Sequence, residues 1–221
     1  MSKLRIIAIL TILILAFSST ITISFSQPLS ATDATGFTLS LSQPPNRIIS
    51  LAPGNTEILF ALGLNDKIVG VTTYCDEPIE ALKKEKIGNV TEIDLEKILT
   101  LQPDLILASS LTPEETVARL HELSLPVFTL KSDTIEEVIE DITKVAVLSG
   151  VEISGSNLIK TMKDQLKKIN DLSQSIPDYQ KPLVFHIIWH DPIWTAGNST
   201  FINEFITLAG GKNLAEDIQG Y

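Results

Sequence analysis

Cysteine is almost absent from this chain of 221 residues, in which Cys75 stands alone. One cysteine cannot close an intramolecular disulfide, so the fold must be held together by its core. No cysteine stands directly after the apolar N-terminal run, which argues against attachment to a membrane through a lipidated cysteine. Histidine is also scarce, with three residues, and a catalytic thiol would need one nearby as its base. We therefore expect Cys75 to be a small, buried loop residue.

Basic residues are few relative to acidic ones: 17 Lys and Arg against 27 Asp and Glu, a formal net charge of -10. The sequence has no basic patch with interleaved aromatic residues, which argues against nucleic acid as a partner. An acidic exported protein could instead dock onto a basic surface of a partner.

Segment 1–26 has the pattern of an export signal, because Lys3 and Arg5 precede an uncharged run that extends over residues 6–17. Small residues before Gln27 suit a cleavage site. The uncharged stretch continues through residue 25, however, and about 20 apolar residues can span a bilayer. A cleaved signal peptide and an uncleaved N-terminal anchor both remain open, and either one places the rest of the chain outside the cytoplasm.

Residues 27–45, rich in Ser, Thr, Ala and Pro, are expected to form a tether with one lead-in strand near its end. Across 46–133, short apolar runs alternate with helical patterns, which predicts an α/β lobe with a parallel sheet covered on both faces. The loops at the carboxyl ends of its strands would form a ligand crevice. Helix starts are predicted at Asn55, at Asp94 and at a Thr112 capping box, with His121 on the solvated side of the last helix.

Residues 134–176 are predicted to form linking helices, the second of which, at about 20 residues, spans about 30 Å. A new α/β lobe starts at 181–221, with one strand at "LVFHIIW" followed by one helix. A single strand and helix cannot bury a sheet between them, so we expect this second lobe to be truncated.

Three separated blocks resemble one family in the same order: "RIISLAPGNTEILFALGLNDKIVGVTTYCDEP", "IDLEKILTLQPDLILAS" and "IWTAGNSTFINEFITLAGGKNLAEDIQGY". They are similar to the iron-chelate and cobalamin class of periplasmic substrate-binding proteins, the capture components of ABC importers. The resemblance implies a helical-backbone fold, with two parallel-sheet α/β lobes joined by one long helix and the ligand between them. It implies no catalytic residue and no cofactor, whereas the ligands of this class include ones that contain cobalt or iron.

The resemblance also implies site residues. The "YCDEP" loop is most similar to that of cobalamin binders, in which the tyrosine faces the corrin ring, and Tyr74 matches that position. Trp194 matches an aromatic residue that packs on the ligand from the second lobe. Val90 stands where cobalamin binders often carry tryptophan, which keeps haem and siderophores open as ligands. The further candidate contacts are Trp189, His190, Asp76 and Ser109.

A directly bound metal ion is not expected, because His186 and His190 lie in a predicted strand. Residues four apart in a strand are separated by about 13 Å, too far to share one ion. His190 could still be a single axial ligand to the iron of a haem. An exported hydrolase that uses Cys75 with one of these histidines is disfavoured, since no oxyanion-hole signature accompanies them.

Glu96 is the candidate docking residue. It lies in the first turn of the "DLEKIL" helix, where the helix dipole favours a carboxylate. By resemblance it matches the glutamate that the permease of such an importer engages with arginines. The expected partners are therefore an ABC permease and ATPase complex, with membrane contact through the permease or the uncleaved anchor. A membrane-tethered ligand sensor of the same fold remains the alternative.

Overall fold

A computed structural model describes residues 28–221 of the protein. The predicted export signal at 1–26 lies outside these residues. No helix in the described part is both long and apolar enough to cross a membrane. The strands there are β1 (Leu29–Thr32), β2 (Thr38–Leu41), β3 (Ile48–Ser50), β4 (Ile68–Val71), β5 (Leu105–Ser109), β6 (Val127–Leu130), β7 (Leu183–Val184), β8 (Ile187–His190), β9 (Ile193–Thr195) and β10 (Lys212–Asn213). The α-helices are α1 (Pro53–Ala61), α2 (Leu95–Leu101), α3 (Glu114–Glu122), α4 (Ile135–Leu148), α5 (Glu152–Gln174) and α6 (Phe201–Leu208).

The first lobe is built on a parallel four-stranded sheet with the strand order β4-β3-β5-β6. Successive side chains of a strand point to opposite faces, so β5 sends Leu105 and Leu107 to one face and Ile106 and Ala108 to the other. One face packs against α1 and α4, and the other packs against α2 and α3. Both faces of the parallel sheet are therefore covered, as the sequence predicted.

Two apolar clusters hold these layers together. The cluster under α1 and α4 contains Leu59, Phe128 and Ile142, and the cluster under α2 and α3 contains Ile98 and Leu120. Each such side chain contributes about 1.5 to 3 kcal/mol when it is fully buried. The two clusters explain why a lobe without a disulfide can fold.

The tether prediction for 27–45 is wrong in part, because β1 and β2 form an antiparallel hairpin instead of one lead-in strand. Leu39 of this hairpin belongs to the core cluster against α4, whereas its Ser and Thr side chains face outward and pair across the strands. The Asp33 carboxylate accepts hydrogen bonds from Thr35 N and Phe37 N, and also from Thr129 N of β6. The hairpin therefore covers the edge of the sheet, and the outward Ser and Thr residues explain its tether-like composition.

Two predicted helix caps are wrong and one is confirmed. Asn55 lies inside α1, which begins at Pro53. Thr112 precedes α3 without capping it, because its hydroxyl accepts a hydrogen bond from Ser109 N. Asp94 does cap α2, since its carboxylate accepts from Lys97 N at 3.0 Å. The periodicity of apolar residues identifies a helix. The hydrogen-bond partner of a polar side chain near the helix start, however, is decided by the tertiary structure.

The long helix α5 leads to the second lobe, where the predicted strand "LVFHIIW" is two strands. β7 pairs in parallel with β10, whereas β8 forms an antiparallel hairpin with β9. Asn213 binds this lobe together, as its amide donates to Ala196 O and to Asn203 Oδ1. Gly197 allows the C-terminal segment to lie close, because a Cβ there would overlap the carbonyl oxygen of Ile218.

Candidate ligand-binding cleft

A cleft of about 730 Å3 lies between the two lobes. One wall comes from the carboxyl ends of β3, β5 and β6, the edge of a parallel sheet at which ligands bind. The other wall comes from the second lobe. The lining residues are Ala52, Pro53, Gly54, Asn55, Ser109, Ser110, Leu111, Ser132, Asp133, His186, Ile187, Ile188, Trp194, Ile202 and Tyr221. A mostly apolar cleft with a few polar groups is typical of a small-molecule site.

Asn55 shapes the first-lobe wall where α1 starts. Its side chain is buried, and its amide donates to Leu107 O at 3.1 Å and to Ala108 O at 2.9 Å. These two hydrogen bonds tie α1 to the end of β5. They hold Ser109 at the mouth of the cleft.

The loop after β6 adds Ser132 and Asp133 to the same wall. Buried Asp141 holds this loop, accepting hydrogen bonds from Lys131 N and Ser132 Oγ, and burial raises the pKa of its carboxyl. Glu137 accepts from Asp133 N and Lys131 Nζ. Partial burial acts to raise the pKa of Glu137, but these hydrogen bonds outweigh it and lower that pKa.

The second-lobe wall presents Trp194 from β9, His186 from the chain before β8, and Ile202 from α6. The indole of Trp194 is 53% exposed, so much of its surface is free to contact a ligand. A hydrogen bond also joins α4 to α6 of the second lobe, because Ile135 N at the start of α4 donates to Glu204 Oε2 at 2.8 Å.

The structure brings two of the six predicted ligand contacts, Trp194 and Ser109, into the cleft lining. Trp189 lies outside it, with its indole N–H donated to Asp191 O. His190 stacks beside Trp189 and is also outside. Tyr74, 62% exposed, follows β4 at the same edge of the sheet but does not line the cleft, and the exposed Asp76 does not either. For these four residues, ligand contact rests on the resemblance alone.

Sequence reasoning missed several cleft residues. The helical pattern predicts Asn55 as a helix cap, although its place just after β3 is a signal for the cleft, because ligands bind at the carboxyl ends of parallel strands. His186, Ile202 and Tyr221 carried no signal, because they meet only when the second lobe folds back. His121, predicted on the surface, is half-buried with its ring 4.9 Å from that of Phe37. Within residues 28–221, no group of three or more His, Cys, Asp or Glu side chains could hold a metal ion.

Cys75 is 0% exposed, which confirms the prediction of a buried loop residue. Its sulfur lies 3.1 Å from Thr56 Oγ1 and 3.2 Å from Thr72 Oγ1. Lys86 Nζ donates to the Cys75 carbonyl at 2.9 Å. The thiol therefore packs the loop after β4 onto α1.

Cys75→Ser should preserve the fold and cost about 1 kcal/mol of stability, because the two threonine hydroxyls can bond the new hydroxyl. In the wild-type protein the thiol should react with a thiol reagent only after denaturation. Thermal melting and a timed thiol titration check both points. Fast reaction in the native state would contradict the buried assignment.

Asn55→Ala should lower the free energy of unfolding by about 1 to 2 kcal/mol, because the carbonyls at the end of β5 lose a buried donor. Urea denaturation measures this change. Asn157→Ala is the matched control, since Asn157 is exposed on α5 and its loss should change stability by less than about 0.5 kcal/mol. Equal effects of the two substitutions would show that the Asn55 amide does not hold the cleft wall.

Residues 48–221 match the family model for periplasmic binding proteins. The chain is 36% identical over 199 residues to an uncharacterised ABC transporter substrate-binding lipoprotein, YvrC, of Bacillus subtilis (strain 168), covering 88% of this chain and 63% of that protein. Its structure matches that of the periplasmic vitamin B12-binding protein BtuF of Vibrio cholerae with a TM-score of 0.70 and 33% identity, covering 80% of this chain and 68% of that one. A periplasmic heme-binding protein from Pseudomonas aeruginosa matches with a TM-score of 0.74 and 25% identity, covering 80% and 65%.

The two structural matches each cover 80% of the chain, with TM-scores of 0.70 and 0.74, so they share its fold. The chain spans less than two thirds of the length of the curated relatives it matches. The family match nevertheless runs through both lobes, from β3 to Tyr221. The chain belongs to the periplasmic binding protein family.

Proposed function

We propose that this chain is the ligand-capturing part of an extracytoplasmic substrate-binding protein of an ABC importer. The ligand is a cobalamin or another corrinoid, held between the lobes and delivered to the permease. The observation that carries this proposal is the apolar cleft, which places Trp194 opposite the carboxyl ends of β3 and β5. The names of YvrC and BtuF support the same class of protein.

The cleft suits a large, flat ligand. Its volume of about 730 Å3 and its apolar lining favour a ring system over a small ion. An indole face buries much apolar area at little entropic cost. Tyr74 would join the site if its exposed loop closes over the ligand from the first lobe.

Haem is the second candidate ligand, and one observation favours it. His186 lines the cleft, so its imidazole could serve as a single axial ligand to iron. The sequence suggests His190 for this role, but His190 lies outside the cleft lining. The likeness to a periplasmic heme-binding protein supports this candidate. No catalytic step is proposed for either ligand.

Absorption spectra test the ligand directly. Titration with cyanocobalamin, haem and a ferric siderophore should give a saturable spectral change with the first, at one ligand per chain. A change with haem alone, abolished by His186→Ala, would select the second candidate. Spectra identical to those of the free ligands in all three titrations would overturn the proposed function.

Glu96 is proposed as a docking residue for the permease. Its side chain is exposed in the first turn of α2. Asp94, and not Glu96, caps this helix, so the Glu96 carboxylate is available to a partner. Complementary charge at an interface governs encounter rate and orientation more than stability. Glu96→Lys should therefore reduce transport by a reconstituted importer in a salt-dependent way, whereas Glu115→Lys on α3 should not. Equal transport by both variants would rule out the role.

A further inference from the structure

A second pocket, of about 520 Å3, opens on the flank of the first lobe. It lies between α3, the turn of the β1–β2 hairpin and the end of β6, and we call it the flank pocket. Ser109 and Ser110 line both the flank pocket and the cleft. The two cavities therefore meet at the carboxyl end of β5, so one ligand could occupy both.

Hydroxyl groups dominate the polar lining of the flank pocket: those of Thr35, Ser109, Ser110, Thr112 and Thr129. Thr129 is only 6% exposed, and its hydroxyl has no hydrogen-bond partner among residues 28–221. A buried hydroxyl without a partner is costly and calls for an explanation. A small rotation of this side chain toward the pocket would let a bound group satisfy it.

The charges around the flank pocket argue for a neutral occupant. Lys131 is the cation of the lining, but its Nζ already bonds Glu137 at 3.0 Å and lies 3.8 Å from Asp133. Glu114, at the start of α3, would repel a carboxylate. Hydroxyl groups both donate and accept hydrogen bonds. An amide, with its two N–H donors and one acceptor oxygen, can therefore pair with them without carrying a charge.

We propose that the flank pocket is a subsite for an uncharged, amide-bearing side arm of the chelate whose ring is held in the cleft. This inference rests on the proposed function and deepens it. It selects a ligand with amide arms, such as a corrinoid, over one whose arms end in carboxylates, such as haem.

The three histidines of the chain report on the two cavities separately. His186 lines the cleft, His121 lines the flank pocket, and His190 lines neither. With their ring-proton NMR signals assigned by substitution, cyanocobalamin should shift the signals of His186 and His121 and leave that of His190 in place. A shift of His186 alone would overturn the subsite while leaving the proposed function intact. If no histidine signal shifts and no absorption change appears, both the subsite and the proposed function are overturned.

Ala118→Phe fills the flank pocket from an exposed position on α3, so it should not disturb the core. We expect it to abolish the His121 shift, to keep the His186 shift, and to weaken cyanocobalamin binding about three- to tenfold, the equivalent of one hydrogen bond. Any affinity for haem should be unchanged. Glu115→Phe is the control, since Glu115 is exposed on the same helix and lines neither cavity. Unchanged cyanocobalamin affinity in Ala118→Phe would overturn the inference.

Discussion

Trp194→Ala is expected to weaken binding of the cleft ligand by about tenfold to a hundredfold, which corresponds to roughly 1 to 3 kcal/mol of lost aromatic burial. Trp194 lines the cleft from β9 and leaves about half of its surface exposed to receive a ring. Its removal should leave stability nearly unchanged, because an exposed side chain contributes little to the core. Fluorescence or absorption titration with cyanocobalamin measures the effect.

Trp189→Ala is the matched control for this experiment. The two tryptophans are paired across the β8–β9 hairpin and are similarly exposed, at 57% and 53%. They differ in position, because Trp189 is outside the cleft lining. Its substitution should change the affinity for cyanocobalamin by less than about twofold, because it removes no side chain from the cleft lining. If Trp189→Ala weakens binding as much as Trp194→Ala, the ligand also contacts Trp189, outside the cleft lining.

Amide hydrogen exchange is expected to be far slower in the first lobe than in the second. All the large, fully buried side chains of residues 28–221 lie in the first lobe, whereas the buried residues of the second are small or polar, such as Ala196 and Asn213. Opening the first lobe must expose both apolar clusters, so its most protected amides should exchange only through global unfolding, which costs about 5 to 15 kcal/mol.

Two amides allow a matched comparison. Ile106 N donates to Pro126 O and Leu214 N donates to Val184 O, both at 2.8 Å. Bond length alone would therefore give equal protection. We expect Leu214 to exchange at least about 100-fold faster, because exchange follows the stability of the surrounding unit. Equal rates at the two amides would show that the second lobe is as stable as the first.

Much of the first lobe was predictable because its signals are local. The strand at Leu105–Ser109 is a continuous apolar run, as expected for a strand buried on both faces. Asp94 directly precedes an apolar helical pattern, and the amide that it caps is only three residues away. Its capping role could therefore be predicted without knowledge of distant residues. The same reasoning failed for Thr112, whose hydroxyl bonds Ser109 N instead of the start of the helix.

The candidate site was predictable only in outline. The crevice rule located it at the carboxyl ends of the strands, which is where Ser109 lies. The rule could not choose between Trp189 and Trp194, since the two are paired across β8 and β9, and only the packing of the lobes decides which of them lines the cleft. It also missed His186, which enters the cleft because the predicted single strand is interrupted after Val184.

The sequence by itself determined the layered first lobe, the long helix α5 and the buried state of Cys75, because periodicity and composition record burial directly. Only the tertiary structure decided how the pieces meet. It paired the outward Ser and Thr residues of 28–41 into a hairpin that covers β6, and it moved Asn55 from a helix cap to the cleft wall. It also placed Trp194, His186 and Tyr221 opposite β5. Contacts between residues far apart in the chain depend on how whole lobes pack, and no local pattern encodes that packing.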